Sequence, residues 1–173
     1  MKPADCTPTL DPVVPLHAAV DRDAGRLHLL HAERLHCRRG CSACCVDDLT
    51  VFAVEAAPIR RNHAELLTHG VAHAEGACAF LDDEGACRIY AERPYVCRTQ
   101  GLPLRWVEER DGGDVELRDI CPLNEAGQPI EHLSEDACWT IGPFEERLGR
   151  LVSGPPTRVR LRDLFVHHGR RVP

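Results

Sequence analysis

Residues 37–48 read Cys37-Arg38-Arg39-Gly40-Cys41-Ser42-Ala43-Cys44-Cys45-Val46-Asp47-Asp48. The thiols follow a C-x3-C-x2-C-C spacing. Metal ligands close in sequence must converge on one ion, so they sit on turns with one to four residues between them. Gly40 gives such a loop the backbone freedom it needs. Arg38 and Arg39 flank the first cysteines, where positive charge stabilises a thiolate. A pair of solvated loop arginines is the plain alternative. Successive side chains diverge, so Cys44 and Cys45 leave three readings open: two metals, a bridging thiolate, or one ligand beside a spectator.

Downstream, Cys78, Cys87, Cys97 and Cys121 form a second group, each flanked by turn-forming residues. Each group supplies four thiols, the coordination number of a structural zinc site and the usual thiolate count of an iron–sulfur cluster. Within the string Cys87-Arg88-Ile89-Tyr90-Ala91-Glu92-Arg93-Pro94-Tyr95-Val96-Cys97-Arg98, Pro94 fixes its own backbone and pushes Arg93 towards an extended conformation. The step from Cys87 to Cys97 is therefore a stiff arc. Tyr90 is expected to pack over the site and shield the sulfurs. Arg93 and Arg98 are expected either to neutralise thiolates or to serve only as surface salt-bridge partners.

The 173 residues fit one domain with a modest core. Only 5% are aromatic, so large apolar anchors are scarce and another stabilising element is expected. Ten cysteines, an even number, would suit a disulfide framework, but that framework needs an oxidising compartment. The first residues, Met1-Lys2-Pro3-Ala4-Asp5-Cys6-Thr7-Pro8, lack the apolar stretch of a secretory signal. No apolar run approaches the roughly 20 residues of a membrane span. We expect a cytoplasmic chain, not associated with a membrane, whose cysteines are thiols or metal ligands. A net charge of -6 argues against nucleic-acid binding, which normally shows a basic stripe. Of the 21 basic residues only Lys2 is lysine; that bias is read as the mark of a GC-rich bacterial genome, not of function.

Residues 1–12, with Pro3, Pro8 and Pro12, read as a flexible lead that keeps Cys6 out of the core ligand set. Residues 13–173 read as one domain with its motif core at 37–121. Leu16, Val20, Leu27 and Leu30 share a helical face and predict a helix from about Val13 to Leu35, interrupted by Gly25. Leu49 to Phe52 is β-prone, and a helix follows from about Ala53 to His69, with Pro58 near its start and Gly70 as its stop. Leu104–Arg110, the turn Asp111-Gly112-Gly113, and Asp114–Ile120 form a hairpin signal. Ser134 is placed to cap a helix from Glu135 through Trp139, and Pro143 to open another reaching about Val152. A short amphipathic piece covers Val159 to His167.

The spacing of Cys37, Cys41 and Cys44 is also that of radical S-adenosylmethionine enzymes. Those enzymes are built on partial or full βα barrels, and this chain shows no alternation of strands and helices. The spacing stays compatible with an iron–sulfur cluster. Cys138, beside Trp139, reads as a buried inert thiol. His36 is a candidate ligand whose commoner fate is exposure, and His167-His168 are a minor surface metal site or merely solvated. Asp47 and Asp48 are placed to cap the next segment; Glu145 and Glu146 read as a solvated helix face. No Ser-His-Asp signature, P-loop or dinucleotide fingerprint is present.

Taken together, the loop Cys37-x3-Cys41-x2-Cys44-Cys45, the segment Cys78-Ala79-Phe80-Leu81 and the string from Cys87 to Arg98 resemble the YkgJ-type cysteine cluster family, a zinc- or iron-chelating domain. Cys121 takes the place of that family's later cysteine. The resemblance covers residues 37–121 and implies eight ligands: Cys37, Cys41, Cys44, Cys45, Cys78, Cys87, Cys97 and Cys121. A related cluster occurs in proteins described as flagellin lysine N-methylases.

The expected fold is a small α+β domain stabilised by metal, mostly helices and loops with one β-hairpin. The expected function is chelation of zinc or iron, with the ion ordering the loops and creating a surface for a protein partner or for metal transfer. An iron–sulfur redox protein, as oxidoreductase or electron carrier, is the alternative, and an accessory to protein lysine N-methylation a further one.

Overall fold

In the computed structural model, which describes residues 11–152 and 154–166, the chain is a mixed α+β assembly of short elements, as its patterning predicts. Cys6 and His167-His168 lie outside the described residues. Helix α1 (Val13–Leu30) forms because Val13, Leu16, Val20, Ala24 and Leu27 recur every three or four residues and bury as one stripe. It stops five residues short of the expected end. The buried stripe passes to His31, whose Nε2 donates to Ala137 O at 2.7 Å, and leaves Leu30 exposed.

Strand β1 (Thr50–Phe52) pairs antiparallel with β5 (Arg158–Arg160), in the register Val51 to Val159. The amphipathic piece expected after Val159 is this strand's end followed by a 3-10 turn at Arg162–Leu164. The expected helix from Ala53 to His69 is two helices, α2 (Ala53–Asn62) and α3 (Ala64–His69). They part at His63 (φ -122°, ψ 29°), which hydrogen-bonds Glu92 at 2.9 Å.

Helix α4 (Tyr95–Thr99) begins directly after Pro94. The hairpin of β2 (Leu104–Arg110) and β3 (Gly113–Asp119) matches the expected boundaries closely. The helix expected through Trp139 is replaced by a 3-10 turn, Glu135–Ala137, and then by β4 (Trp139–Thr140), parallel to β2. Ser134 precedes the turn without the expected side-chain cap, and Trp139 N donates to Pro103 O at 2.7 Å instead of continuing a helix. Its indole packs 5.2 Å from Phe144 and donates to Tyr95 Oη at 2.8 Å. Helix α5 (Pro143–Gly149) opens on Pro143 as expected.

Two apolar clusters hold these elements. One gathers Val51, Ala56, Ile59, Leu67, Phe80, Ile89, Leu161 and Phe165; the other gathers the α1 stripe with Phe52, Tyr95, Leu102, Trp139 and Leu148. Adjacent residues serve different clusters: Val51 and Phe52, and likewise Tyr95 and Val96. Between the two lies Glu55, buried to 2% exposure. Its carboxylate accepts from Tyr95 N (2.6 Å), Phe52 N (3.4 Å) and His17 Nε2 (2.9 Å). An N-terminal helix amide needs an acceptor, and α4 receives one from a helix distant in sequence. That bond fixes α4, which carries Cys97.

Candidate metal centre

Two successive turns build the first cysteine loop: Cys41 N bonds to Arg38 O and Cys45 N to Ser42 O, both at 2.9 Å. Gly40 (φ +83°) and Gly85 (φ +76°) adopt the left-handed backbone that glycine tolerates. A Cβ on Gly85 would meet Gly40 O at 3.3 Å, so two loops far apart in sequence lie backbone against backbone here. A direct bond joins the same stretches: Cys78 N donates to Cys45 O at 2.8 Å. Cys78 and Cys87 stand on the two arms of a small hairpin, closed by Leu81 facing Cys87 and by Asp82 Oδ1 accepting from Glu84 N and Ala86 N.

Cys121 precedes the 3-10 turn Pro122–Asn124, and Asn124 N returns to Cys121 O at 2.8 Å. The Asn124 side chain is fully buried. Its Nδ2 donates to Gly101 O at 2.8 Å and to Cys37 Sγ at 3.5 Å, while its Oδ1 accepts from His36 N at 2.9 Å. Gly101 (φ +89°) presses so close that a Cβ there would lie 2.6 Å from Cys37 Sγ. Arg162 clamps the opposite side. It pairs with Asp47, which follows Cys45, and donates to the carbonyls of His73 (2.9 Å), Ala74 (3.2 Å) and Ala77 (2.9 Å), which precede Cys78.

The thiols shift one another's proton affinity. Burial, followed by Cys78, Cys87 and Cys44 as neighbours, pushes Cys97 well above the ordinary thiol range. Cys45 is raised by its hydrogen bond to Cys44, by burial, and by Cys78 and Cys97; the same bond lowers Cys44. Burial raises Cys78 and Cys87. Cys37 is raised by burial against the opposing bond from Asn124, with Cys41, Cys121 and Cys44 as its charged neighbours. Each of the eight expected thiols thus lies near enough to another to shift its proton affinity or be shifted by it.

Among the described residues, no three Cys, His, Asp or Glu side chains are gathered tightly enough to hold an ion as they stand. Protonated thiols have no attraction that would draw them onto one point, whereas an ion deprotonates and gathers them. The donor set fits zinc or iron: sulfur ligands on turns, with Cys78 in an apolar cluster and Cys45 and Cys87 packed against it. The nine described cysteines are all free thiols.

Other expectations resolve individually. Cys138 is buried, 3.7 Å from Arg118 Nη1, and its charged neighbours include no cysteine. His36 is exposed. Tyr90 does not shield the sulfurs: it is 64% exposed, with the Arg93 guanidinium 4.0 Å from its ring centre. Arg93 is extended as expected (φ -55°, ψ 135°), because Pro94 follows it. Arg98 serves as a salt-bridge partner, to Asp21 at 2.6 Å. Asp47 and Asp48 pair with Arg162 and Arg160 instead of capping β1. Asn124, Gly101, Arg162 and Glu55 carried no signal of a role in the sequence; a glycine or asparagine between motifs looks like any loop residue.

The family model described as "CxxCxxCC: Putative zinc- or iron-chelating domain" matches residues 36–122. No curated protein and no solved structure matches the chain. No helix among the described residues is long and apolar enough to cross a membrane.

Proposed function

Because the chain belongs to the CxxCxxCC family, we propose that it chelates zinc or iron through Cys37, Cys41, Cys44, Cys45, Cys78, Cys87, Cys97 and Cys121. The observation that carries this reading is the hydrogen bond from Cys78 N to Cys45 O, which brings the two cysteine-bearing stretches into one neighbourhood. When bound, the ion holds the loops together and supplies folding free energy, since no such site preexists in the unfolded chain. The protein's own part is to set the loops in register through Asn124, Gly101 and the Arg162–Asp47 clamp.

Purification without oxygen, followed by metal analysis and a visible spectrum, tests this. Zinc or iron in stoichiometric amount is expected, without acid-labile sulfide. A brown protein containing iron and sulfide would replace the chelated ion with an iron–sulfur cluster. A chain that holds no metal, even after addition of zinc under reducing conditions, would remove the reading.

A further inference from the structure

After α1 the chain makes one further turn, in which Arg34 N and Leu35 N both return to His31 O at 3.0 Å. The turn sets His31 and Arg34 in the wall of a cleft of about 730 Å³. Leu30 of α1 stands beside them, and Ala126, Leu133 and Ala137 face in from the loop that follows Asn124. That loop is braced by hydrogen bonds. Arg118 Nη1 donates to the carbonyls of Ile130 and Leu133, both at 2.6 Å, and Gln128 Nε2 to His132 O at 2.9 Å. The cleft therefore has fixed walls and a polar floor.

Only 7% of Arg34 is exposed. Its Nε donates to Asn124 O at 3.0 Å and its Nη2 to Glu125 O at 3.1 Å, and no bond engages Nη1 among the described residues. Both partners are neutral. Arg98, equally buried, instead pairs with the Asp21 carboxylate at 2.6 Å. A buried charge without a counterion is costly, and carbonyl dipoles offset only part of that cost. The geometry points to a binding site for a small organic carboxylate, with its oxygens on Arg34 and its apolar body between Leu30, Ala126 and Leu133. A guanidinium presents N–H donors in the spacing that carboxylate oxygens match. Two features favour such a monoanion over free phosphate. Glu33 also lines the cleft, is exposed, and repels a dianion more strongly than a monoanion. The apolar walls offer contact that an inorganic ion cannot use. The volume also falls within the roughly 300–1,000 Å³ of small-molecule sites.

The test titrates the full, reduced, 15N-labelled chain with benzoate and follows its amide signals by NMR. Benzyl alcohol, which lacks the charge, and inorganic phosphate, which lacks the carbon body, are titrated in parallel. Saturable benzoate shifts centred on residues 30–34 and 126–137 are expected, with both comparison probes about tenfold weaker or more. Arg34→Gln, with folding checked by circular dichroism, is expected to weaken benzoate by a similar factor. Ala126→Trp fills the cleft without touching the carbonyl bonds of Arg34, and is expected to abolish the shifts; it decides the matter should Arg34→Gln fail to fold. Benzoate that does not saturate, shifts centred elsewhere, benzyl alcohol or phosphate binding as tightly as benzoate, or unchanged affinity in Ala126→Trp would each overturn the assignment.

Discussion

Asn124 uses both ends of its amide to join segments far apart in sequence: His36 N, Gly101 O and the Cys37 sulfur. It is fully buried, and its bond to Gly101 O is buried with it, so that carbonyl has no water as a substitute partner. Asn124→Ala is expected to strand the buried Gly101 carbonyl, at a cost of about 1–3 kcal/mol. The denaturant midpoint of the reduced, metal-free chain checks this, and an unchanged midpoint would show the amide to be dispensable. The residue was invisible in the sequence because its meaning depends on three partners that only the folded chain brings near. The cysteines were visible because their chemistry is carried by residue type and spacing, whatever the fold. What spacing could not supply is their pairing. The meeting of the two cysteine-bearing stretches follows from a tertiary contact, Cys78 N to Cys45 O, and not from the order of the thiols.

Elements reach the site through distant polar contacts more than through their own propensity. Helix α4 has only five residues and would not persist alone; Glu55 on α2 supplies the acceptor for its Tyr95 N–H. Glu55→Ala is expected to destabilise the chain by about 1–3 kcal/mol through the stranded Tyr95 and Phe52 amides, and Glu55→Gln, which keeps a carbonyl, by less. Equal urea midpoints for the two variants would contradict this account. At the other side Arg162 holds the Asp47 carboxyl below its ordinary value of 3.8, first through their hydrogen bond. A depressed carboxyl stabilises the fold above its unfolded value and loses that contribution as pH falls through the native one. The stability gap between the parent chain and Arg162→Met should therefore narrow as pH drops below 3.8, measured by denaturation of both at neutral and at acid pH. A constant gap would assign Arg162 wholly to its carbonyl partners. The hairpin of β2 and β3 was legible because its Asp111-Gly112 turn and both strands are contiguous. The β1–β5 pair was not, since Thr50 and Arg160 are brought opposite each other by everything between them. Trp139 reads as helix locally and becomes strand because β2 offers it an edge.

For the molecule as a whole, two modest clusters and few aromatic residues leave stability dependent on what ties the loops together. The hydrogen bond with Cys44, then burial, raises Cys45, burial and neighbouring thiols raise Cys97, and burial raises Cys78, Cys87 and Cys37, so these thiols hold their protons in the absence of metal. An ion must displace those protons to bind, and the metal-bound form carries fewer of them, so rising pH favours it. A ligand that binds only the folded chain at a thousandfold excess over its dissociation constant adds about 4 kcal/mol. At this chain length that corresponds to about 10 °C in melting temperature. We expect zinc to raise the melting temperature of the reduced chain by about that amount at neutral pH. The gain should shrink steadily towards about pH 5 as protons compete for sulfur. Calorimetry of zinc-loaded and zinc-free samples across that range measures both quantities. A gain independent of pH would mean that the stabilising contact is not made by thiols, and no gain at neutral pH would mean that the loops are held by their hydrogen bonds alone.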